Sequence, residues 1–394
     1  MTSRERMHIV MHLGMPDRVP VMCQLALGHY FLHSGLDLLD IWYSSEGFAE
    51  ALIRMQQRYG FDGILINLPG RDPNWRNYVT KIERQGDERR IEWRNCFYTV
   101  VPDGDLPHVY RADGRKFFAK LDDVDPEQLF YIEPHDINGV TYPYTWGISD
   151  EPAPLGRNFF SPSHCETIKE VVRRVGDDVS VHCEIFSPFS QLMDLFGIPP
   201  SLLAIRRNPS KLKDCLAALT QGTIELGRLQ ADAGAHAILI SSAFAGASFI
   251  GRQQYEEFVL PYEKAVIAGI RQYANLPVYT HTCGDIGDRL DLMEATGTNG
   301  IDTLDPPPLG TVEIAEAKRQ TAGRLFLKGN LDSVALMNGT PDDAYSAARE
   351  RIDAAAPGGG YILSTACSVA PATPPENIAQ LHNAVEMLGR YPRG

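Results

Sequence analysis

His281 and Cys283 stand two residues apart in Tyr279-Thr280-His281-Thr282-Cys283-Gly284-Asp285, where an apolar run gives way to a turn. In an extended segment, residues i and i+2 project to the same side, so an imidazole and a thiolate can face one ion. Soft sulfur and imidazole donors suit zinc better than magnesium or calcium. An HxC pair alone is matched as well by a packed histidine beside a cysteine at a helix start. Cys367, in Ser364-Thr365-Ala366-Cys367-Ser368, directly follows another apolar run and offers a third ligand. Three donors of N/S/S type leave one position open, as a catalytic zinc requires. Glu184, in His182-Cys183-Glu184-Ile185, is a carboxylate in an otherwise apolar segment and needs a partner. It is a candidate fourth ligand that could step aside for substrate, with a salt bridge or a contact behind the ligands as the other reading. Cys23, Cys96, Cys165, Cys183 and Cys215 show no ligand spacing and read as structural, while His182 is left open.

Four donors so far apart in sequence need a scaffold that brings strand ends together. Eight short apolar runs read as strands: Val19–Leu25, Gly63–Asn67, Val179–Ile185, Ala235–Ser241, Pro277–His281, Gly300–Leu304, Arg324–Lys328 and Gly360–Ser364. Most lack in/out alternation, as strands covered on both faces do. Helical patterns fall between most of them, including Ser44–Tyr59, Pro209–Ala233, Gln253–Tyr273, Pro341–Ala355 and Pro375–Leu388. The alternation predicts a single (β/α)8 TIM barrel over residues 1–394. From Tyr78 to about Leu121 the pattern changes to polar/apolar alternation with turn signals at Gln85-Gly86-Asp87 and Ala112-Asp113-Gly114-Arg115. This predicts a β-hairpin insertion after the second strand, followed by a long loop to Ser163; the insertion, 78–163, is expected to cap the C-terminal mouth. An oligomer-forming excursion is the other reading.

At 394 residues the chain is long enough to bury a large core without staples. The net charge of −13 and the absence of a Lys/Arg cluster exclude nucleic acid and anionic membrane surfaces as expected partners. No apolar run approaches the roughly 18 residues of a membrane span. Seven cysteines, an odd number without framework spacing, predict a reducing compartment and a cytoplasmic location.

Further stretches resemble one family. They are Arg18-Val19-Pro20-Val21 through Gly28-His29-Tyr30, Phe186-Ser187-Pro188-Phe189, Tyr255-Glu256-Glu257-Phe258 with Pro261-Tyr262, Gly329-Asn330-Leu331-Asp332, and Gly360-Tyr361-Ile362 through Pro375-Glu376-Asn377-Ile378. Almost end to end, the chain resembles the uroporphyrinogen decarboxylase superfamily, and within it the corrinoid-dependent methyltransferase branch. That branch carries a His-x-Cys…Cys zinc motif, which His281, Cys283 and Cys367 match. The resemblance implies a corrinoid (cobalamin) carried by a separate partner protein that docks at the barrel mouth. The departures concern decarboxylation: Leu25 and His29 stand where the decarboxylases have arginines, Pro69 where they have an aspartate, and Cys367 where they have a histidine.

The expected function is therefore zinc-dependent methyl transfer between a small molecule and a corrinoid protein, of O-demethylase type on a methoxylated compound. Trp93, Phe97, Tyr98, Tyr142, Tyr144 and Trp146 of the insertion are candidates to enclose such a substrate. Methyl transfer from methylcobamide to a thiol is the alternative within the class. A zinc hydrolase with Glu184 as base, a barrel with a structural zinc, and a decarboxylase of another carboxylic acid are the alternatives outside it. His29 and Tyr30 after the first strand and Asn67 at the end of the second are the expected substrate contacts.

Overall fold

The computed structural model describes residues 1–94, 98–110, 120–132, 160–321 and 323–392. Seven strands form one curled parallel sheet: β1 (Gly63–Ile66), β6 (Ser180–Phe186), β7 (Ala237–Ser241), β8 (Val278–Thr282), β9 (Gly300–Thr303), β10 (Phe326–Leu331) and β11 (Tyr361–Thr365). They neighbour one another in chain order, each parallel to the next. All seven were legible as apolar runs, because helices cover the outer face and β1, β7, β8, β9, β10 and β11 are buried at every position.

The expected first strand is corrected. Val19–Leu25 is no continuous strand but a segment held by isolated bridges, Val21 to Leu363 in β11 and Leu25 to Val369 in the loop beyond it. Pro20 has no N–H to give, and the Val19 N–H turns away to the Gly389 carbonyl. Leu363 N donates to Pro20 O and Met22 N to Leu363 O, while Asp62 N, just before β1, donates to Val21 O. The segment thus bonds to both edges of the seven-stranded sheet.

Between β1 and β6 lies an antiparallel sheet of four strands rather than one hairpin: β2 (Val79–Gln85), β3 (Glu88–Trp93), β4 (Tyr98–Pro102) and β5 (His108–Tyr110). The turn at Gly86-Asp87 joins β2 to β3 as the sequence suggests. The Ala112–Arg115 turn, Cys96 and most of the loop to Ser163 lie outside the described residues.

Two devices close the end of the curl where the strands begin. Helix Ser3–Met11, started by a capping box between Thr2 and Glu5, buries Met7, Val10 and Met11 against Met22, Leu65, Leu239, Tyr279, Phe326 and Ile362. Beside it, the fully buried Asp62 carboxylate accepts from Arg6 Nη1 (2.6 Å), Arg18 Nη1 (2.8 Å), Ser3 Oγ (2.7 Å) and Val21 N (2.8 Å). Arg18 also reaches Glu386 (2.6 Å), in the last helix, Pro375–Leu388.

Inside the curl, His182 on β6 bonds the Tyr279 hydroxyl (2.8 Å) and Ser180 Oγ (3.0 Å). Burial lowers its imidazole to about 3. An unfolded imidazole takes up its proton near pH 6.5, so His182 contributes stability above that pH and loses it as pH falls toward its folded value. The cost of His182→Asn is expected to shrink by about 2 kcal/mol between pH 6.5 and 5, at roughly 1.4 kcal/mol per pH unit. Urea unfolding of both proteins at the two pH values checks this; an unchanged difference would contradict it.

Candidate metal centre

β8 ends at Thr282, and the chain continues through Cys283 into Gly284, whose φ of +78° suits a residue without a side chain. Gly284 N donates to Asp305 Oδ2 (2.6 Å), which pins this turn to the loop after β9. On the other side Gly246 lies so close that a Cβ there would meet the Cys283 carbonyl oxygen at 2.3 Å. Cys367 follows β11, and its carbonyl accepts from Thr365 Oγ1 (2.6 Å) and Ser333 Oγ (3.4 Å). Both turns are therefore fixed by neighbouring loops at the strand ends.

This brings the three expected ligands together. His281 Nε2 lies 3.2 Å from Cys283 Sγ, which lies 3.7 Å from Cys367 Sγ, and the three donor atoms fall within 4.8 Å of one another. His281 is buried and the cysteines are half-buried. The two sulfurs share a hydrogen bond, which with His281 beside them lowers the Cys367 thiol and raises that of Cys283. Burial opposes a charge on His281, yet the sulfurs beside it and the bond to Asp302 carry its imidazole well above the ordinary value. Two sulfurs and one imidazole nitrogen converging on a small space fit a zinc ion, and binding it would expel the protons they hold.

Behind His281 stands a set of residues that the sequence reading missed. Its Nδ1 faces Thr303 Oγ1 at 2.7 Å and Asp302 Oδ2 at 3.4 Å. Asp302 is held by Lys328 Nζ at 2.9 and 3.0 Å, and neither side chain is more than 2% exposed. Burial would raise the Asp302 carboxyl, but Lys328 and His281 keep it low. The signal was available: Asp302 and Lys328 are charges in apolar strands, as Glu184 is, and such charges need partners.

Glu184 accepts from Gln24 Nε2 (3.3 Å) and stands beside the three-ligand group rather than in it. Burial raises its carboxyl, against the pull of His281 and a bond from Ser241. It lines a cavity of about 20 Å³ together with Asn67, His164 and Gln230, and the Asn67 and Gln230 carbonyl oxygens have no hydrogen-bond partner. The structure thus brings Asn67 to Glu184. His29 and Tyr30 sit in a helix, Leu27–His33. His29 is buried, its Nδ1 donating to the Pro371 carbonyl (3.1 Å) and its Nε2 accepting from the Tyr59 hydroxyl (2.7 Å). Tyr30 packs edge-on against Phe48. Of the aromatic candidates, Trp93 is core, packed edge-on against Tyr43 and Trp75 with its N–H on Thr99 Oγ1 (2.8 Å). Tyr98 stacks on Tyr110. Phe97, Tyr142, Tyr144 and Trp146 lie outside the described residues.

Fold and cluster together define a curled α/β protein with soft metal donors gathered at its strand ends. The chain belongs to the uroporphyrinogen decarboxylase (URO-D) family, whose model matches residues 152–388. It is similar to a methylated-thiol–coenzyme M methyltransferase of Methanosarcina mazei, 28% identical over 212 residues, 54% of each chain. A methylcobamide:CoM methyltransferase of Methanosarcina acetivorans is 26% identical over 220 residues, 55% of this chain and 60% of that one. A uroporphyrinogen decarboxylase of Thioalkalivibrio sulfidiphilus is 30% identical over 185 residues, 46% of this chain and 50% of that one. The matched segments thus span about half the length of these curated relatives. A solved methyltransferase structure from Methanosarcina mazei superimposes with a TM-score of 0.70 at 19% identity, over 98% of this chain and 99% of that one, which shows a common fold. Among the described residues, no helix is long and apolar enough to cross a membrane.

Proposed function

We propose that this protein is a zinc-dependent methyltransferase that moves a methyl group between a small substrate and a corrinoid carried by a partner protein. The observation that carries this reading is the convergence of His281, Cys283 and Cys367 within 4.8 Å at the strand ends. The names of two relatives, a thiol methyltransferase and a methylcobamide methyltransferase, support it. The decarboxylase relatives favour it less, because Leu25, His29 and Pro69 offer no arginine or aspartate to a tetrapyrrole's carboxylates and nitrogens.

When bound, zinc supplies Lewis acidity toward a substrate oxygen or sulfur, and the corrinoid supplies the cobalt that exchanges the methyl group. The chain's own residues do the rest. His281, Cys283 and Cys367 hold the ion. Glu184, with its carboxyl raised by burial, either completes the ligand set in the resting protein or carries on Oε1 the proton that a departing oxygen needs. Asn67, which borders the same cavity, would orient substrate. His29 shapes the wall by holding Pro371, four residues beyond Cys367, and Tyr30 backs that helix against Phe48. We read segment 19–25 as the eighth stave of the barrel, and the 78–163 insertion as the cap over its mouth. The location we propose is the cytoplasm.

For the substrate we favour a methoxylated compound, demethylated at oxygen. A thiol acceptor is the second reading, favoured by the relatives' names. The test is to mix zinc-loaded protein and a reduced corrinoid protein with a methoxylated aromatic compound, and to follow methyl-cobamide formation by absorbance. The reverse assay supplies methyl-cobamide and a thiol. Transfer in the first supports demethylation, and transfer only in the second supports the thiol reading. Hydrolytic turnover without corrinoid, with transfer in neither assay, would overturn the proposal.

A further inference from the structure

We infer that Thr303, backed by the buried Asp302–Lys328 pair, is the positioning residue that presents His281 Nε2 to the metal. The inference rests on the reading of His281, Cys283 and Cys367 as metal ligands and adds three residues to it.

A histidine ligand has two ring nitrogens, and the group bonded to one decides which is free to coordinate. His281 Nε2 faces the sulfurs, 3.2 Å from Cys283 Sγ, while Nδ1 lies 2.7 Å from Thr303 Oγ1. With Nδ1–H donating to that hydroxyl oxygen, the lone pair is left on Nε2, toward Cys283 and Cys367. Without the bond, either tautomer and a rotated ring are accessible.

Thr303 sits in a conformation that β-branched residues avoid, with φ of +84°, and Leu304 follows at +57°. Such backbone is strained and persists only where its surroundings over-determine it. Here the surroundings are visible. Thr303 N donates to Asp302 Oδ1 (2.9 Å), and both Asp302 oxygens receive Lys328 Nζ. Thr303 Oγ1 is thus aimed at the ring by a backbone turn that the adjacent carboxylate holds. Asp302 also lies 3.4 Å from Nδ1 and places negative charge behind the donor N–H, which strengthens Nε2 as a ligand. Lys328 fixes that carboxylate from β10, so three consecutive strands, β8, β9 and β10, share the task.

The experiment compares Thr303→Val, Thr303→Ser and the charge-neutral double variant Asp302→Asn/Lys328→Met with the parent protein. Zinc affinity is read by competition with a chromophoric chelator. The ligand field is read from the absorption of the cobalt(II)-substituted forms, and the fold of each metal-free form from its circular dichroism. Thr303→Val keeps the branched shape and removes the hydroxyl; it is expected to weaken zinc by about 10- to 100-fold and to shift the cobalt bands. Thr303→Ser, which keeps the hydroxyl, is expected to restore both. The double variant removes the pair without stranding one charge and is expected to weaken zinc in the same range. Parent-like affinity and cobalt spectrum in Thr303→Val would overturn this inference while leaving the metal site standing. A parent protein that takes up neither zinc nor cobalt would overturn the metal reading itself, and this inference with it.

Discussion

Replacing Cys367 by alanine is expected to empty the metal site, reducing zinc from about one per chain to near none after dialysis against a weak chelator. The loss should exceed the roughly 10- to 100-fold that partners behind the ligands command, because a thiolate donor itself is gone. The bond from Cys283 and the neighbouring His281 also lower the Cys367 thiol, which favours its charged form as a donor. Cys283→Ala should have the same outcome for a different reason. It removes one sulfur and also the hydrogen bond that stabilises the other. Methyl transfer should fall with metal content in both. Elemental analysis beside circular dichroism checks this, and a full complement of zinc in either well-folded variant would count against a shared site. Neither cysteine is part of the core, so the fold of the metal-free variants is expected to survive.

The largest effect on stability is expected at the other end of the sheet, from Asp62→Ala. Asp62 is fully buried and takes hydrogen bonds from two arginines, a hydroxyl and a backbone N–H. Removing one partner of a buried pair costs about 3–5 kcal/mol, because the remaining charges are left in a poor medium. Arg6 keeps Asp17 and Arg18 keeps Glu386, which places the cost toward the lower end of that range. Urea unfolding of metal-free proteins measures it without interference from the zinc. A loss below about 1 kcal/mol, the range of a surface pair, would mean that the network does not close the floor.

Why was so much of the site readable from the sequence? The ligands lie at or just past the ends of short strands buried at every position, and the i, i+2 geometry of an extended chain is insensitive to an error of a residue or two in the strand ends. The helices Pro341–Ala355 and Pro375–Leu388 are likewise bounded by the start signals Thr340-Pro341 and Pro374-Pro375-Glu376. The failures have local causes. Gln253–Tyr273 reads as one periodic stretch but is two helices, Arg252–Phe258 and Leu260–Tyr273, parted at Val259 where Pro261 begins the second. Helix Ser3–Met11 is not among the helical patterns read from the sequence, although Thr2 and Glu5 carry a capping signal. Thr303 could not be found from sequence, since its role depends on a left-handed backbone that threonine gives no reason to expect. His29 looked like a site residue because it follows the first apolar segment; its bonds to Pro371 and Tyr59 depend on tertiary packing that no local pattern encodes.

The 84 residues between Cys283 and Cys367 have a meaning for the growing chain on the ribosome. At common translation speeds this stretch takes roughly 4 to 17 s to synthesise, during which His281 and Cys283 are present without their third partner. If these residues hold a metal as proposed, a two-donor site would exchange its ion readily, and whatever metal it meets in that interval would be released again. Selection of the metal is thus deferred until β10 and β11 have joined the sheet, when the nascent protein already has its shape.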